Sequence, residues 1–308
     1  MPELPEVETI VSELNAKLKN RKIKTVVINA PKIISIGPET VSNRREVSTK
    51  NVQYFISSLL GQKVIRVKRR AKILIFSFSG ELTMLVHLKM TGQFIFEDKA
   101  QKKLTGSKYR MLNRLHAPLV QLPGKHTHVV FEFADGSTLY FNDVRRFGYL
   151  KLIQNNQLPE VKEFTEYGPE PLQKNFSFEV FETAVKKKKN GLIKQVIMDN
   201  SVVVGIGNIY SDEILFHAKV DPTRKVVSIK EQELRNIYRW IKPILIKGIK
   251  AKGSSVGDFV RTDGTWGQMG KFHFVYGRKG RECKKCGTII ESIKVGGRTA
   301  SFCPKCQK

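Results

Sequence analysis

Four cysteines constrain this chain more than any other feature. They form two pairs, Cys283-Lys-Lys-Cys286 and Cys303-Pro-Lys-Cys306, close to the C-terminal end, and no cysteine occurs elsewhere. A disulfide framework would spread its bridges through the chain, whereas two CxxC pairs with a hairpin between them bring four thiolates onto one tetrahedral ion. Cys283, Cys286, Cys303 and Cys306 are therefore read as ligands of one structural Zn²⁺. Four sulfurs close the coordination shell and leave no position for chemistry. Between the pairs lie Lys294, Gly296, Gly297 and Arg298, a basic tip whose glycines allow the backbone to come close to a phosphate.

A zinc hairpin accounts for little of a chain of 308 residues, 41% of them hydrophobic. That length and apolar content allow two globular domains. The sequence lacks an apolar run long enough to span a bilayer, and Met-Pro-Glu-Leu-Pro-Glu lacks the basic start and apolar stretch of a secretory signal, so a cytoplasmic, membrane-free protein is expected. Val7, Ile10, Val11, Leu14 and Leu18 recur at helical spacing. β-Rich runs follow at 63–67, 73–78, 82–87, 129–133, 138–141 and 149–153, with Ala134-Asp135-Gly136-Ser137 as a hairpin turn. Short strands separated by turns point to a sandwich or barrel. Residues 31–53 and 98–125 read as surface loops or insertions. Residues 154–173 are polar and hold three prolines, as a linker would. Helical spacing then returns at 176–189, 192–200, 209–218 and 229–251, the last containing Pro243, which removes a helix hydrogen bond and is expected to kink it. The expected fold is α+β: an N-terminal β-sandwich domain with flanking helices (1–155), a linker (156–173), a helical domain (174–270) and a zinc finger (271–308).

Charge narrows the function. Lys and Arg total 54 against 28 acidic residues, a formal net charge of +26. Such an excess calls for a polyanionic partner, and nucleic acid is the leading one. Val204-Gly205-Ile206-Gly207-Asn208-Ile209-Tyr210 is a glycine-rich turn before a helix, with Asn208 as the expected N-cap, a geometry that aims N–H groups at an anion. With 192–200 it makes a helix–two-turn–helix. If Met1 is removed, Pro2 carries a free secondary amine. An α-amino group has a pKa of about 7.7–8.0, so a useful fraction is nucleophilic at neutral pH.

These motifs occur together in one order: Met1-Pro2-Glu3-Leu4-Pro5-Glu6-Val7-Glu8-Thr9, Arg70-Ala71-Lys72, His87-Leu88-Lys89-Met90, Asp143-Val144-Arg145-Arg146-Phe147-Gly148, Gly168-Pro169-Glu170-Pro171, Gly207-Asn208-Ile209-Tyr210, Gly253-Ser254-Ser255, Val275-Tyr276-Gly277-Arg278 and the four cysteines. That set resembles the formamidopyrimidine-DNA glycosylase family over most of the chain. The resemblance implies a base-excision-repair glycosylase and AP lyase acting, as a monomer, on double-stranded DNA that contains oxidised purines. It implies that Pro2 attacks C1′ and forms a Schiff base, that Glu3 is the general acid/base, and that Lys72 and Arg298 grip phosphates and assist the β- and δ-eliminations. Met90, Arg145 and Phe147 match the residues that fill the gap left by a flipped base, which offsets part of the lost stacking. His126, Lys194 and Asn208 match further DNA contacts, Glu6 a base-pocket position, and 261–271 the loop that caps the damaged base, where Gly264, Gly267 and Gly270 suit a mobile segment. Two departures stand out: Gln195 occupies a position where the family usually has proline, and a basic position falls on Asn190, with Lys189 beside it as a substitute. Two other readings share parts of the pattern. One is the related endonuclease VIII branch, which takes oxidised pyrimidines and lacks Leu4. The other is a zinc-dependent DNA-binding protein without chemistry.

Overall fold

The computed structural model describes residues 1–39, 47–100, 102, 108–109 and 120–308. The strands are β1 (Ile23–Ile28), β2 (Ile34–Ile36), β3 (Val64–Arg70), β4 (Ile73–Phe78), β5 (Leu82–His87), β6 (Gly92–Glu97), β7 (Lys108–Tyr109), β8 (Val120–Gln121), β9 (Thr127–Phe133), β10 (Thr138–Asp143), β11 (Tyr149–Gln154), β12 (Glu291–Val295) and β13 (Arg298–Phe302). The α-helices are α1 (Leu4–Leu18), α2 (Thr49–Leu59), α3 (Lys162–Thr165), α4 (Phe178–Lys186), α5 (Ile193–Ile197), α6 (Asn208–Ala218) and α7 (Glu231–Lys250). The chain divides into two compact units. One comprises Met1–Pro2, Glu6–Thr165 and Lys252–Gly267, the other Glu3–Pro5, Glu166–Ala251 and Gln268–Lys308.

In the first unit, β1-β9-β10-β6 form one sheet and β2-β11-β5-β4-β3 the other. Both sheets feed a single core in which Phe94 of β6 lies with its ring centroid 5.6 Å from Phe76 of β4 and 5.2 Å from Phe141 of β10. Val7, Ile10, Val11, Leu14 and Leu18 of α1 join that core, as their helical spacing required. The outer face of the first sheet is not left to water. Ile95, Val130 and Tyr140 pack with Val260 and Trp266, which explains why Lys252–Gly267 groups with the sandwich and not with the helices that precede it in sequence.

The second unit is helical. Buried Leu234, Ile237, Ile241, Ile244 and Leu245 of α7 pack with α4, α5, α6 and with Leu4. α7 runs unbroken through Pro243, whose ring lies on the exposed side. A smaller apolar cluster of Phe216, Val275, Cys283, Ile290 and Cys303 joins α6 to the cysteine module.

Several sequence readings need correction. Residues 31–53 are not simply a loop: they include β2 and the start of α2, whose Ser48 side chain accepts from Asn51 N and whose Phe55 and Leu59 are buried. β1 and β6 lie outside the β-runs read from sequence; β6 is buried on both faces, so no polar alternation marks it. Within 98–125, the short strands β7 and β8 pair, and most of the remainder lies outside the described residues. The presumed linker has structure of its own. It holds α3, and Gly168 lies so close to Ser201 that a Cβ would stand 2.6 Å from the Ser201 carbonyl oxygen.

Phe94 joins the two sheets, so Phe94→Ala should lower unfolding free energy by about 3–5 kcal/mol. Urea denaturation followed by circular dichroism would measure it. A change below about 1 kcal/mol would place the weight of the core elsewhere.

Candidate active site

In the first unit, Pro2 is buried, directly ahead of α1. Lys72 sits in the two-residue turn joining β3 and β4, only 6% exposed. That turn is forced: Ala71 is left-handed at φ 53°. Arg69 holds it, donating from Nε to Glu8 Oε2 (2.8 Å) and from Nη1 to the Ala71 carbonyl (2.9 Å). Glu6 is buried, and its Oε1 accepts from Ser254 N at 2.7 Å. Gly253 beside it has φ 84°, and a Cβ there would stand 3.0 Å from Glu6 Cγ.

The three gap-filling candidates share one organiser. Met90 is 38% and Phe147 49% exposed, and the Arg145 guanidinium lies 4.7 Å from the Phe147 ring centroid. Both side chains stand exposed on loops that meet at one buried carboxylate. Asp143, fully buried at the end of β10, arranges them. Its Oδ2 accepts from Gly148 N (2.7 Å), its Oδ1 from Arg145 N (3.2 Å), and the Thr91 hydroxyl, next to Met90, donates to the same carboxylate. Sequence reading missed Asp143 and Thr91 as organisers; an aspartate at a strand end that can bond its own following backbone was the available signal. His126 stands near the same end, its carbonyl accepting from Asp143 N at 3.0 Å. Partial burial and the Lys125 ammonium hold His126 below the ordinary histidine value.

The segment 261–271 is less free than its glycines implied. Arg261 Nε donates to Glu13 Oε1 (2.7 Å), Thr262 donates through both N (3.1 Å) and Oγ1 (2.7 Å) to Glu13 Oε2, and Thr262 is fully buried. Its first half is thus fastened to α1.

In the second unit, Glu3 takes over the N-terminus of α6. Glu3 Oε2 accepts from Gly207 N (2.7 Å) and Tyr210 N (3.4 Å), and Oε1 accepts from Ile209 N (2.8 Å). The glycine turn does aim N–H groups at an anion, but the anion belongs to the same chain. The N-cap is Gly207, not Asn208, because a Cβ at 207 would stand 2.4 Å from Glu3 Cδ. Asn208 opens the helix, and its buried Oδ1 accepts no hydrogen bond among the described residues.

Lys194, matched to a DNA-contacting position, is buried in the protein. It is 1% exposed, donating to Asp212 Oδ1 (2.6 Å) and to the Thr299 carbonyl (2.8 Å), so its ammonium is already paired inside the protein. Burial lowers the Lys194 amine and raises the Asp212 carboxyl, and the 2.6 Å contact between the two opposes both shifts by favouring the charged pair. The next residue, Glu213, accepts from the backbone N–H groups of Phe274, Val275 and Tyr276 at 2.9–3.1 Å. β12 and β13 form a ribbon whose turn, Gly296-Gly297, has φ of 56° and 75°, the positive pair that a tight two-residue hairpin demands. Arg298 is exposed immediately after it.

The four cysteine sulfurs lie within 4.8 Å of one another, with Cys286–Cys303 at 3.5 Å, Cys286–Cys306 at 3.4 Å and Cys283–Cys306 at 4.0 Å. Sulfurs about 2.3 Å from a tetrahedral Zn²⁺ stand about 3.8 Å apart. The spacing fits that ion and excludes a disulfide, which needs about 2.05 Å.

Comparison with known proteins agrees with this arrangement piece by piece. Three family models match: the formamidopyrimidine-DNA glycosylase N-terminal domain over residues 1–150, the formamidopyrimidine-DNA glycosylase H2TH domain over 167–260, and a zinc finger found in FPG and IleRS over 280–308. The formamidopyrimidine-DNA glycosylase of Listeria innocua is 36% identical over 308 residues, covering 100% of both chains. That of Pelotomaculum thermopropionicum is 34% identical over 308 residues, covering 100% of this chain and 99% of its own. The chain belongs to the formamidopyrimidine-DNA glycosylase family.

Solved structures place this family member beside proteins bound to damaged DNA. The complex of Lactococcus lactis Fpg with abasic-site DNA has a TM-score of 0.81 at 30% identity, covering 99% of each chain. MutM in complex with DNA containing carbocyclic 8-oxo-G has a TM-score of 0.80 at 31% identity, covering 100% of each chain. In this glycosylase Cys283, Cys286, Cys303 and Cys306 form a structural zinc site. The ion's part is to cross-link the ribbon, since four thiolates fill its coordination shell.

Removing zinc with a strong chelator should therefore release the β12–β13 ribbon while leaving the sandwich folded. Limited proteolysis should then cut near Gly296 first. An unchanged digestion pattern after verified zinc loss would show that packing alone holds the ribbon.

Proposed function

We propose that this DNA glycosylase removes oxidised purines, 8-oxoguanine and formamidopyrimidines, through an iminium on Pro2, and then cuts the strand by β,δ-elimination. The observation that carries the reading is Glu3. A carboxylate follows the candidate nucleophile directly in the chain, and backbone N–H groups fix both its oxygens. A carboxylate positioned at that point can take the proton that Pro2 gives up and hand it to the sugar as the base leaves C1′.

Once Met1 is removed, the Pro2 nitrogen lone pair forms a bond to C1′, and the glycosidic bond breaks with its electron pair leaving on the base. Glu3, as the carboxylate, takes the N–H proton of the resulting Pro2 ammonium and passes it to the sugar ring oxygen, the nitrogen lone pair opening the ring to a C1′ iminium while the departed base takes a proton from water. That electron sink acidifies C2′, so loss of a C2′ proton expels the 3′ phosphate, and a second elimination expels the 5′ phosphate. Lys72 and Arg298 supply cations for the two leaving phosphates. Met90, Arg145 and Phe147 fill the vacated stack, and Arg145 offers donors to the orphaned base. Asn208 and His126 add DNA contacts, Glu6 lines the base pocket, and one chain suffices as a monomer. A net charge of +26 supports strong electrostatic attraction to the duplex. The choice of purines rests on the relatives seen with 8-oxo-G and Fapy-dG DNA.

Borohydride added during reaction with an 8-oxoguanine·cytosine duplex should trap the DNA on Pro2, located by mass spectrometry. Pro2→Gly should lose most of the trapped product. Trapping only with thymine glycol would move the enzyme to oxidised pyrimidines, and no adduct from zinc-loaded protein with a mature N-terminus would remove the proline mechanism. Log affinity for lesion DNA should also fall linearly with log salt, by several decades per decade if six or more phosphates are neutralised. A flat dependence would contradict a phosphate clamp.

A further inference from the structure

The geometry points to Asp212 as a positioning residue for Arg298, acting through the backbone of β13; this rests on the reading of Arg298 as a phosphate-gripping residue. An isolated two-stranded ribbon is marginally stable in water, so an arginine at its turn is only as well placed as the ribbon is fastened. Zinc fastens the cysteine end. Along β13, between the cysteines and the turn, the fastening is a buried ion pair. Asp212 Oδ2 accepts from Ser301 N at 2.9 Å, and Asp212 Oδ1 accepts from Lys194 Nζ at 2.6 Å. Lys194 then closes the loop by donating to the Thr299 carbonyl at 2.8 Å. Two backbone groups, one and three residues beyond Arg298, are thus held by one carboxylate and one ammonium, both buried.

Gln195 braces the turn itself. A Cβ at Gly296 would stand 1.8 Å from Gln195 Nε2, so the side chain lies directly against the turn backbone. Gln195 is the residue that replaces the usual family proline, and a proline could not reach Gly296 in this way. The exchange therefore adds to the same fastening. The Arg298 guanidinium is close enough to depress the Lys194 amine, which places the ion pair within the electrostatic reach of the side chain it positions.

The experiment is a mutant cycle on full-length, zinc-loaded enzyme with preformed abasic-site DNA, scoring the ratio of β,δ- to β-elimination product. An amide has one acceptor oxygen, so Asp212→Asn can serve Lys194 or Ser301 but not both. Asp212→Asn should slow the second elimination on the order of tenfold, as small misplacements of a reacting group do. In an Arg298→Ala background the same change should have no further effect. If Asp212→Asn fails to load zinc, the apolar pair Lys194→Met with Asp212→Leu keeps the volume and removes the grip, and it should shift the products alike. Equal effects of Asp212→Asn with and without Arg298, or a native product ratio in either variant, would overturn the inference while leaving Arg298 in place. A native ratio in Arg298→Ala alone would instead overturn the reading on which it rests.

Discussion

Helix α6 is the element on which the second unit depends, and three buried carboxylates hold it. Glu3 meets its N-terminal N–H groups, while Asp212 and Glu213, in its first two turns, accept backbone N–H groups from β13 and from 274–276. Each carboxylate takes donors that would otherwise be unsatisfied on burial, the condition under which a buried charge is tolerable. The helix dipole favours an anion at the end where Glu3 sits.

That use of acids gives the strongly basic composition a second meaning. A chain meant for DNA gains from cations on its surface and loses from exposed carboxylates. Here several acids with precise partners are buried ones: Glu3, Glu6, Asp143, Asp212 and Glu213. They accept from main-chain N–H groups and fix turns that carry Met90, Arg145, Phe147 and Arg298. Positive charge provides attraction to the polyanion, while buried negative charge provides the geometry.

What the sequence made legible follows from range. The zinc ligands were readable because their chemistry is local and their spacing is tight. The amphipathic face of α7 and the turn at Gly296-Gly297 were readable for similar reasons. Asn208 was misassigned as a cap because its competitor, Glu3, is distant in sequence and no local rule joins the two. The burial of Lys194 was not legible because its partners, Asp212 and Thr299, come from other elements. Strand β6 escaped notice because both of its faces are buried, which erases the period-two signal.

Backbone strain gives an independent account of where function lies. Seven non-glycine residues take positive φ among those described. Four occupy places where that conformation is ordinary: Asn20 just beyond α1, Lys219 at the C-cap of α6, Lys252 just beyond the C-cap of α7, and Glu81 in the β4–β5 turn. The other three directly precede candidate site residues: Ala71 before Lys72, Lys89 before Met90, and Arg146 before Phe147. A left-handed L-residue costs roughly 1–2 kcal/mol, and it persists only where the surroundings over-determine it. At Ala71 the surroundings are Arg69 and Glu8; at Arg146 they are Asp143 and Thr91. Relaxing these turns would ease the backbone and redirect Lys72, Met90 and Phe147. The strain is therefore placed where side-chain direction matters more than local stability.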